Sequence, residues 1–323
     1  MIGGGVGIQE QALYAGTPLS RFLDDQLPNR DSVVEAWVHE VTSNAVDATA
    51  PVVGRDSVGW AFELCIGLDL ANTPPRMQEL SYLPTDRCTA TLAAAGFDHR
   101  PSRALAGQGT TDPVLLHWER THHRVAVDDA QRGIFAACLD LASFRQPMHR
   151  WGNSRTVDRR RSLFLSLAMD EDSMGRSREL LDMMGHCWEL YLARGRRALL
   201  TLGEKVVVAP EWATSFGVAD LVIGRTLIDV KLAVEPTADD VATWLRQLLG
   251  YVLLDRHDTF RIDAVAVYSA WHGCLLTHPL GAFLATASAG PLSDLGQLRA
   301  EFHHALRDDV DSYLAWKERR RYA

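Results

Sequence analysis

The sequence predicts a mixed α/β protein (mixed α+β) in which helices flank a central mixed sheet. Three observations carry that prediction. From Ser177 onward the periodic segments run helix, strand, strand, strand, helix, strand. Inside that run two β-branched stretches, Val218 to Ile223 and Thr226 to Leu232, are joined by Gly224-Arg225. A Gly-X pair there is a hairpin signal, because Gly supplies the positive φ that a two-residue turn needs. Finally, residues 1–148 mix helix-period with strand-period stretches.

The chain has 323 residues, of which 47% are hydrophobic and 23% charged, the balance of an ordinary soluble enzyme with a sizeable core and about two domains. A net charge of −8 excludes a uniformly basic nucleic-acid binder, so contact with a polyanion has to come from local basic patches. The five cysteines are scattered and form no CxxC pair, which argues against a disulfide framework, a zinc ribbon or an iron–sulfur cluster. No apolar run reaches the ~18 residues of a membrane span, and the N-terminus lacks a signal-peptide pattern, so no membrane partner and a cytoplasmic location are expected.

Taken in order, the Gly-rich start (Gly3-Gly4-Gly5-Val6-Gly7) follows no strand and does not make a dinucleotide fingerprint; no Walker-type phosphate loop occurs anywhere. Val33, Val34, Trp37 and Val41 stand at helical spacing, predicting a helix over Asp31 to Val41. Trp60, Phe62, Leu64 and Ile66 alternate with a period of two, predicting a strand that ends near Asp69. After Pro74-Pro75, a Thr/Ala/Gly-rich passage through Gly109 reads as loops and short helices. Val114 to Val127 holds one or two strands. Its His117, His122 and His123 lack a matching ligand set, so they read as solvent-facing or packing residues. A helix over Ala130 to Ser143 closes this half, and residues 1–148 are expected to form an accessory, recognition domain.

Residues 149–176 form a basic junction in which Arg155, Arg159, Arg160 and Arg161 either contact phosphates or are simply solvated. Residues 177–323 form the next domain. A helix capped by Ser177 runs to about Arg197, with Leu180, Leu181, Met184, Cys187, Trp188, Tyr191 and Leu192 as its apolar stripe. Asp182, His186 and Glu189 line one flank, Glu189 against the buried face; Arg194, Arg196 and Arg197 sit at the C-terminal end, where the dipole favours cations and a phosphate can be met. Lys205 to Ala209 is a strand, the hairpin comes next, Thr237-Ala-Asp-Asp240 starts a helix that continues to Leu254, and Arg261 to Ser269 is a buried strand. Gln297 to Ala315 is a further helix before the basic end Lys317-Glu-Arg-Arg-Arg-Tyr322.

The hairpin carries the chemistry. A two-residue loop sets Ile223 opposite Thr226, Val222 opposite Leu227, Leu221 opposite Ile228 and Asp220 opposite Asp229. Alternation then places Asp220, Asp229 and Lys231 on one face, and Leu221, Ile223, Ile228 and Val230 on the other. Carboxylates directly across a sheet repel. The pair makes sense with cations beside it: Lys231 is one, and a hard divalent ion with oxygen ligands, Mg²⁺ or Mn²⁺, would be another. A solvent-facing hairpin with hydrated charges accounts for the same residues in isolation; the flanking helices add the rest.

In that order and spacing, residues 177–275, about a third of the chain, resemble the PD-(D/E)XK nuclease superfamily, and Gln247-Leu-Leu-Gly-Tyr251 resembles its RecB-like branch. The resemblance implies a restriction-endonuclease-like core, with Asp220 and Asp229 as metal ligands, Glu189 at or near the metal, and Lys231 positioning or activating water. Gln247 and Tyr251 would touch the substrate strand or support the site. Ala219 replaces the usual Pro before the first aspartate, which removes a backbone constraint and leaves the ligand. The first motif stays ambiguous among Gly185-His186, Trp188-Glu189 and, more distantly, Gly59-Trp-Ala-Phe-Glu63. The cysteines that some RecB-like nucleases use for an iron–sulfur cluster are absent.

The resemblance also implies an activity: Mg²⁺- or Mn²⁺-dependent phosphodiester hydrolysis, of DNA ahead of RNA, by an endo- or exonuclease serving phage (antiviral) defence, repair or mobile-element processing. A separate motor or defence-system protein, or a homodimer, is compatible with it. The alternatives are an RNA nuclease, a nuclease subunit of a larger complex, and a non-catalytic nucleic-acid-binding module.

Overall fold

One five-stranded mixed sheet organises the computed structural model, which describes residues 17–44, 55–101, 112, 116–123, 128–150, 178–210, 217–288 and 294–307. Its N-terminal helices are α1 (Pro18–Gln26), α2 (Asp31–Ser43), α3 (Arg55–Leu70), α4 (Met77–Leu80) and α5 (Thr85–Ala94). A small antiparallel pair comes next, β1 (Phe97–Pro101) with β2 (Leu116–Arg120), and then α6 (Asp129–Arg150). The remainder is α7 (Arg178–Leu190), β3 (Val206–Val208), β4 (Leu221–Ile223), β5 (Thr226–Lys231), α8 (Ala238–Leu254), β6 (Ala264–Ser269), β7 (Cys274–Pro279), α9 (Leu280–Ala287) and a helix over residues 295–307. Helix α7 continues through a π-helical turn, Tyr191–Gly195, into Arg196–Leu200.

The large sheet has the order β3-β4-β5-β6-β7. All its pairings are antiparallel except β5 with β6, which are parallel. A parallel pair needs a crossover, and α8 supplies it. Thr237 caps α8 through the backbone N–H of Asp240, whose carboxylate returns a bond to the Thr237 N–H, the reciprocal arrangement that fixes a helix start. The hairpin has the expected register, Leu221 with Ile228, Val222 with Leu227 and Ile223 with Thr226. Gly224 takes φ +60 at its turn, where it also lies against the Leu202 carbonyl, so a side chain would meet both strain and a clash.

Alternation along these strands feeds two cores. Leu221, Ile223, Ile228, Val230, Ala266 and Tyr268 pack with α3, α6 and α7. Val222, Leu227, Val265, Val267 and Leu276 pack with α1, α2, α8 and α9 and with the helix over 295–307. Helices therefore cover both faces of the sheet, which is why its strands are apolar on both sides.

Three readings of the sequence meet a different arrangement here. Residues Trp60 to Ile66 are helical, inside α3, and not a strand. Val58, Trp60, Ala61, Phe62, Leu64, Cys65, Ile66 and Leu68 are all buried, and a helix that is apolar all round loses the 3.6-residue signature and can mimic a period of two. The boundary near residue 148 does not separate two cores either. Phe62 of α3 and Phe135 of α6 pack edge-on against Trp188 of α7, and α2 shares a core with α8. In the passage read as loops and short helices, Phe97–Pro101 is a strand. Ser177, the junction arginines Arg155, Arg159, Arg160 and Arg161, the Gly-rich start and the basic end lie outside the described residues.

Candidate active site

The site grows from the end of the β4–β5 hairpin. The ladder closes at Leu221 with Ile228, and beyond it the Asp220 carboxylate accepts a bond from the backbone N–H of Val230 at 2.7 Å. Asp220 is thus tied across the hairpin to the strand that carries Asp229. Both aspartates are buried, at 4% and 1% exposure. One turn of α8 lies over this end: Lys231 Nζ donates to Gln247 Oε1 at 2.8 Å, and Gln247 Nε2 donates to the Tyr251 hydroxyl at 3.1 Å. The i, i+4 spacing of Gln247 and Tyr251 puts them on one helical face, and Lys231 joins that face to the sheet. Just ahead of Asp220, Gly217 lets the chain pass close to Tyr251 and Leu254, where a built Cβ would come within 3.0 and 2.9 Å of their side chains.

Asp229 is the least satisfied of these groups. Lys231 Nζ lies 2.7 Å from its Oδ2, yet neither carboxylate oxygen receives a directed hydrogen bond from the described residues. The approach is ionic, and the remaining acceptor capacity is buried and unmet, which is costly. Asp220 shows the same stress. Burial, then the charges of Glu63 and Asp229, push its carboxyl well above the usual carboxylate range, against the pull of Lys231 and the Val230 N–H. Burial and the same three carboxylates, led by Asp229, also raise the Tyr251 hydroxyl, so it stays a neutral phenol.

The third carboxylate is Glu63, from α3. Glu189, the residue expected at the metal, is exposed on α7 and is not among the charges that act most on Asp220. His186 packs on Trp271, ring centroids 4.5 Å apart, and its Nε2 is buried without a hydrogen bond among the described residues. Of the three first-motif candidates, Glu63 is the one whose charge bears on Asp220, and a Cβ at Gly59, one turn earlier on the same helix, would lie 3.5 Å from Leu232 just past Lys231; Glu189 is exposed and His186 packs on Trp271. Glu63 is held by Arg76, whose Nη2 donates to Glu63 Oε1. No sequence signal marked Arg76, which comes just after Pro74-Pro75 in a loop.

The expected phosphate-contacting arginines of α7 are partly engaged. Arg196 pairs with buried Asp69 at 2.8 Å, a carboxylate that Tyr191 also bonds at 2.6 Å, so Arg196 holds α7 to the end of α3. Arg194 donates to the His272 carbonyl. Arg194 and Arg197 are exposed. His117, His122 and His123 are exposed as well.

The donor set suits a hard divalent ion. Asp220 and Asp229 offer buried carboxylate oxygens, and no described hydrogen-bond donor satisfies those of Asp229. Among the described residues no three His, Cys, Asp or Glu side chains form a ready cage. Mg²⁺ does not require one: it is held through one or two carboxylates and completes its shell with water and phosphate oxygens.

The metal-free chain should carry the cost of this crowding. A carboxyl raised in the folded state makes that state bind more protons than the unfolded chain, so its stability is fully present below about pH 4 and is lost as pH rises through the raised value. Asp220→Asn keeps an acceptor for the Val230 N–H and removes the charge. In EDTA its melting temperature at pH 8 is expected above that of the parent, with a smaller decline between pH 5 and 8; a lower melting temperature at both pH values would contradict the crowding.

No family model, curated protein or solved structure matches the chain. Its fold stands as a mixed α/β arrangement with a five-stranded mixed sheet and a small two-stranded sheet. No described helix is long and apolar enough to cross a membrane.

Proposed function

We propose that this chain is a divalent-metal-dependent nuclease with a restriction-endonuclease-like core, acting on DNA. The observation that carries the proposal is the joint placement of Asp220, Asp229 and Lys231 at the end of the hairpin beside Gln247 and Tyr251 of α8, with the charge of Glu63 bearing on Asp220. Each of these side chains has a use in phosphodiester hydrolysis, and two of them, the buried aspartates, are hard to account for as packing.

When bound, Mg²⁺ or Mn²⁺ would supply Lewis-acid stabilisation of the phosphate and a more acidic water. Asp220 and Asp229 would hold it. Lys231 is kept in place by Asp229 on one side and Gln247 on the other, so its ammonium is fixed before substrate arrives. A fixed positive charge where negative charge develops lowers the barrier without reorganisation. Gln247 accepts from Lys231 and donates to Tyr251, so it relays the orientation of α8 to the lysine. Tyr251, neutral through the physiological range, offers a phenol at the rim of the carboxylate cluster.

The test is a cleavage assay with linear, circular and single-stranded DNA and with RNA, each in Mg²⁺, in Mn²⁺ and in EDTA. Cleavage of DNA that EDTA abolishes is the expected result. Cleavage of RNA alone would transfer the same chemistry to the other polymer. Metal-independent cleavage, or binding of both polymers without cleavage, would overturn the proposal.

A further inference from the structure

The turn that joins β6 to β7, residues 270–273, is buried where a hairpin turn ordinarily meets water: Ala270, Trp271 and His272 are 0%, 2% and 2% exposed. Three contacts press it onto α7. Gly273, at φ +58, lets the turn come so near that a Cβ there would lie 2.8 Å from the Leu190 Cβ. Trp271 packs on His186, and Arg194 of the π-helical turn donates to the His272 carbonyl. The His272 ring serves the sheet instead. Its Nδ1 lies 2.8 Å from the Ser269 Oγ, and it shares a hydrogen bond with the Val234 backbone. These two partners flank Lys231. Ser269 is the residue opposite Lys231 in the parallel β5–β6 pair, and the Ala270 N–H donates to the Lys231 carbonyl at 2.8 Å. Val234 belongs to the strap, residues 232–237, that leads from Lys231 to α8.

We infer that His272 is a positioning residue for Lys231: bonded to Ser269 at the end of β6, it holds the strap by which the lysine is joined to α8. This inference rests on the nuclease proposal above and deepens it. Lys231 is the last residue of β5, and beyond it the chain leaves the sheet. Its ammonium nonetheless meets Asp229 at 2.7 Å and Gln247 at 2.8 Å at once. A flexible four-carbon stem reaches two such partners only if its own backbone and the helix that carries Gln247 keep their places. The imidazole links both, through the strand beside Lys231 and through the strap that enters α8. Its chemistry suits the task. A neutral ring has one N–H; given to the Val234 carbonyl, it leaves Nδ1 to accept the Ser269 hydroxyl. Burial, then the charges of Arg194 and His186, hold the ring below its usual pKa and outweigh the Val234 bond, which favours the charged form. Ser269 is 0% exposed and so closed to substrate, which leaves this serine–histidine pair to act through Lys231 and not on a phosphate.

The experiment measures kcat and KM for cleavage of linear DNA in Mg²⁺ by the full chain, well below the melting temperature of each variant. The ion-induced gain in melting temperature is recorded beside it, by titrating EDTA-treated protein with Mg²⁺ in the absence of DNA. His272→Ala should lower kcat about tenfold or more, with KM and the midpoint of the Mg²⁺-induced gain within about twofold of the parent, because Asp220 and Asp229 are untouched. His272→Gln keeps a donor and an acceptor on its amide and should recover most of the loss. Ser269→Ala removes one hydroxyl and should lower kcat by a few fold. If His272→Ala does not fold, Ser269→Ala decides, and an unchanged kcat there overturns the inference. Equal losses in His272→Ala and His272→Gln would reduce the ring to packing. A raised KM or a shifted Mg²⁺ midpoint would show that the effect does not run through Lys231. Unchanged kcat in every variant would overturn the role of His272 and leave the nuclease proposal standing, whereas a parent that cleaves no DNA in Mg²⁺ would overturn both.

Discussion

Asp229→Asn and Lys231→Ala are each expected to abolish metal-dependent cleavage, with a loss of at least about a thousandfold; Asp229→Asn should melt close to the parent, whereas Lys231→Ala, which leaves buried Asp229 without its counter-ion, should melt lower. The two losses have different origins. Asp229 is 1% exposed and carries acceptor capacity that no described donor meets, so the amide removes a ligand for the ion and little structure. Lys231 is 19% exposed and its ammonium engages groups of the site, Asp229 and Gln247, so its truncation withdraws a positive charge from the reacting phosphate. The ion-induced gain in melting temperature separates them: Asp229→Asn should lose most of it, whereas Lys231→Ala should keep it. Full cleavage by the Asp229 variant would remove the aspartate pair from the chemistry.

Glu63→Gln and Glu189→Gln are expected to give opposite results. The first should reduce cleavage by about a hundredfold or more, since a third carboxylate in such a site helps hold the ion that clamps the phosphate. The second should leave it within about twofold, because surface substitutions away from a site rarely register. Glu63 acts on Asp220 and is paired with Arg76; Glu189 is exposed on α7. Both rates should be measured well below the melting temperature, because Glu63→Gln also leaves Arg76 buried without its ion partner. If Glu189→Gln is the inactive one, the glutamate belongs to α7 after all and the metal would have to enter from that side.

The hairpin was legible because its information is local. A Gly-X turn between β-branched runs fixes the register of the three ladder pairs by counting, while Asp220, expected opposite Asp229, lies just past the ladder and reaches the Val230 N–H instead. Helix α8 was legible for the same reason, its start written in Thr237 and Asp240 and its buried face in residues 241, 244, 245, 248 and 252. Glu63 was harder. Its helix is buried on every side, so periodicity pointed to a strand, and nothing near it in sequence says that α3 docks on the same sheet end as Asp220. Arg76 was invisible, because a strained arginine in a loop declares itself only when its partner is seen. Composition changes near residue 148, yet the apolar faces of α3 and α6 find partners in α7 and the large sheet, far along the chain, which no local signal could announce.

That the acidic cluster draws on distant stretches bears on how the protein comes into being. Synthesis runs from Glu63 toward Gln247, so a nascent chain that has emerged only through α7 holds the glutamate and its arginine and neither aspartate. Long-range pairings of this kind close late and slowly. Translation must pass α8 before Asp220, Asp229, Lys231, Gln247 and Tyr251 can come together, so on the nuclease proposal a polypeptide cut short upstream of it would be inert toward nucleic acid.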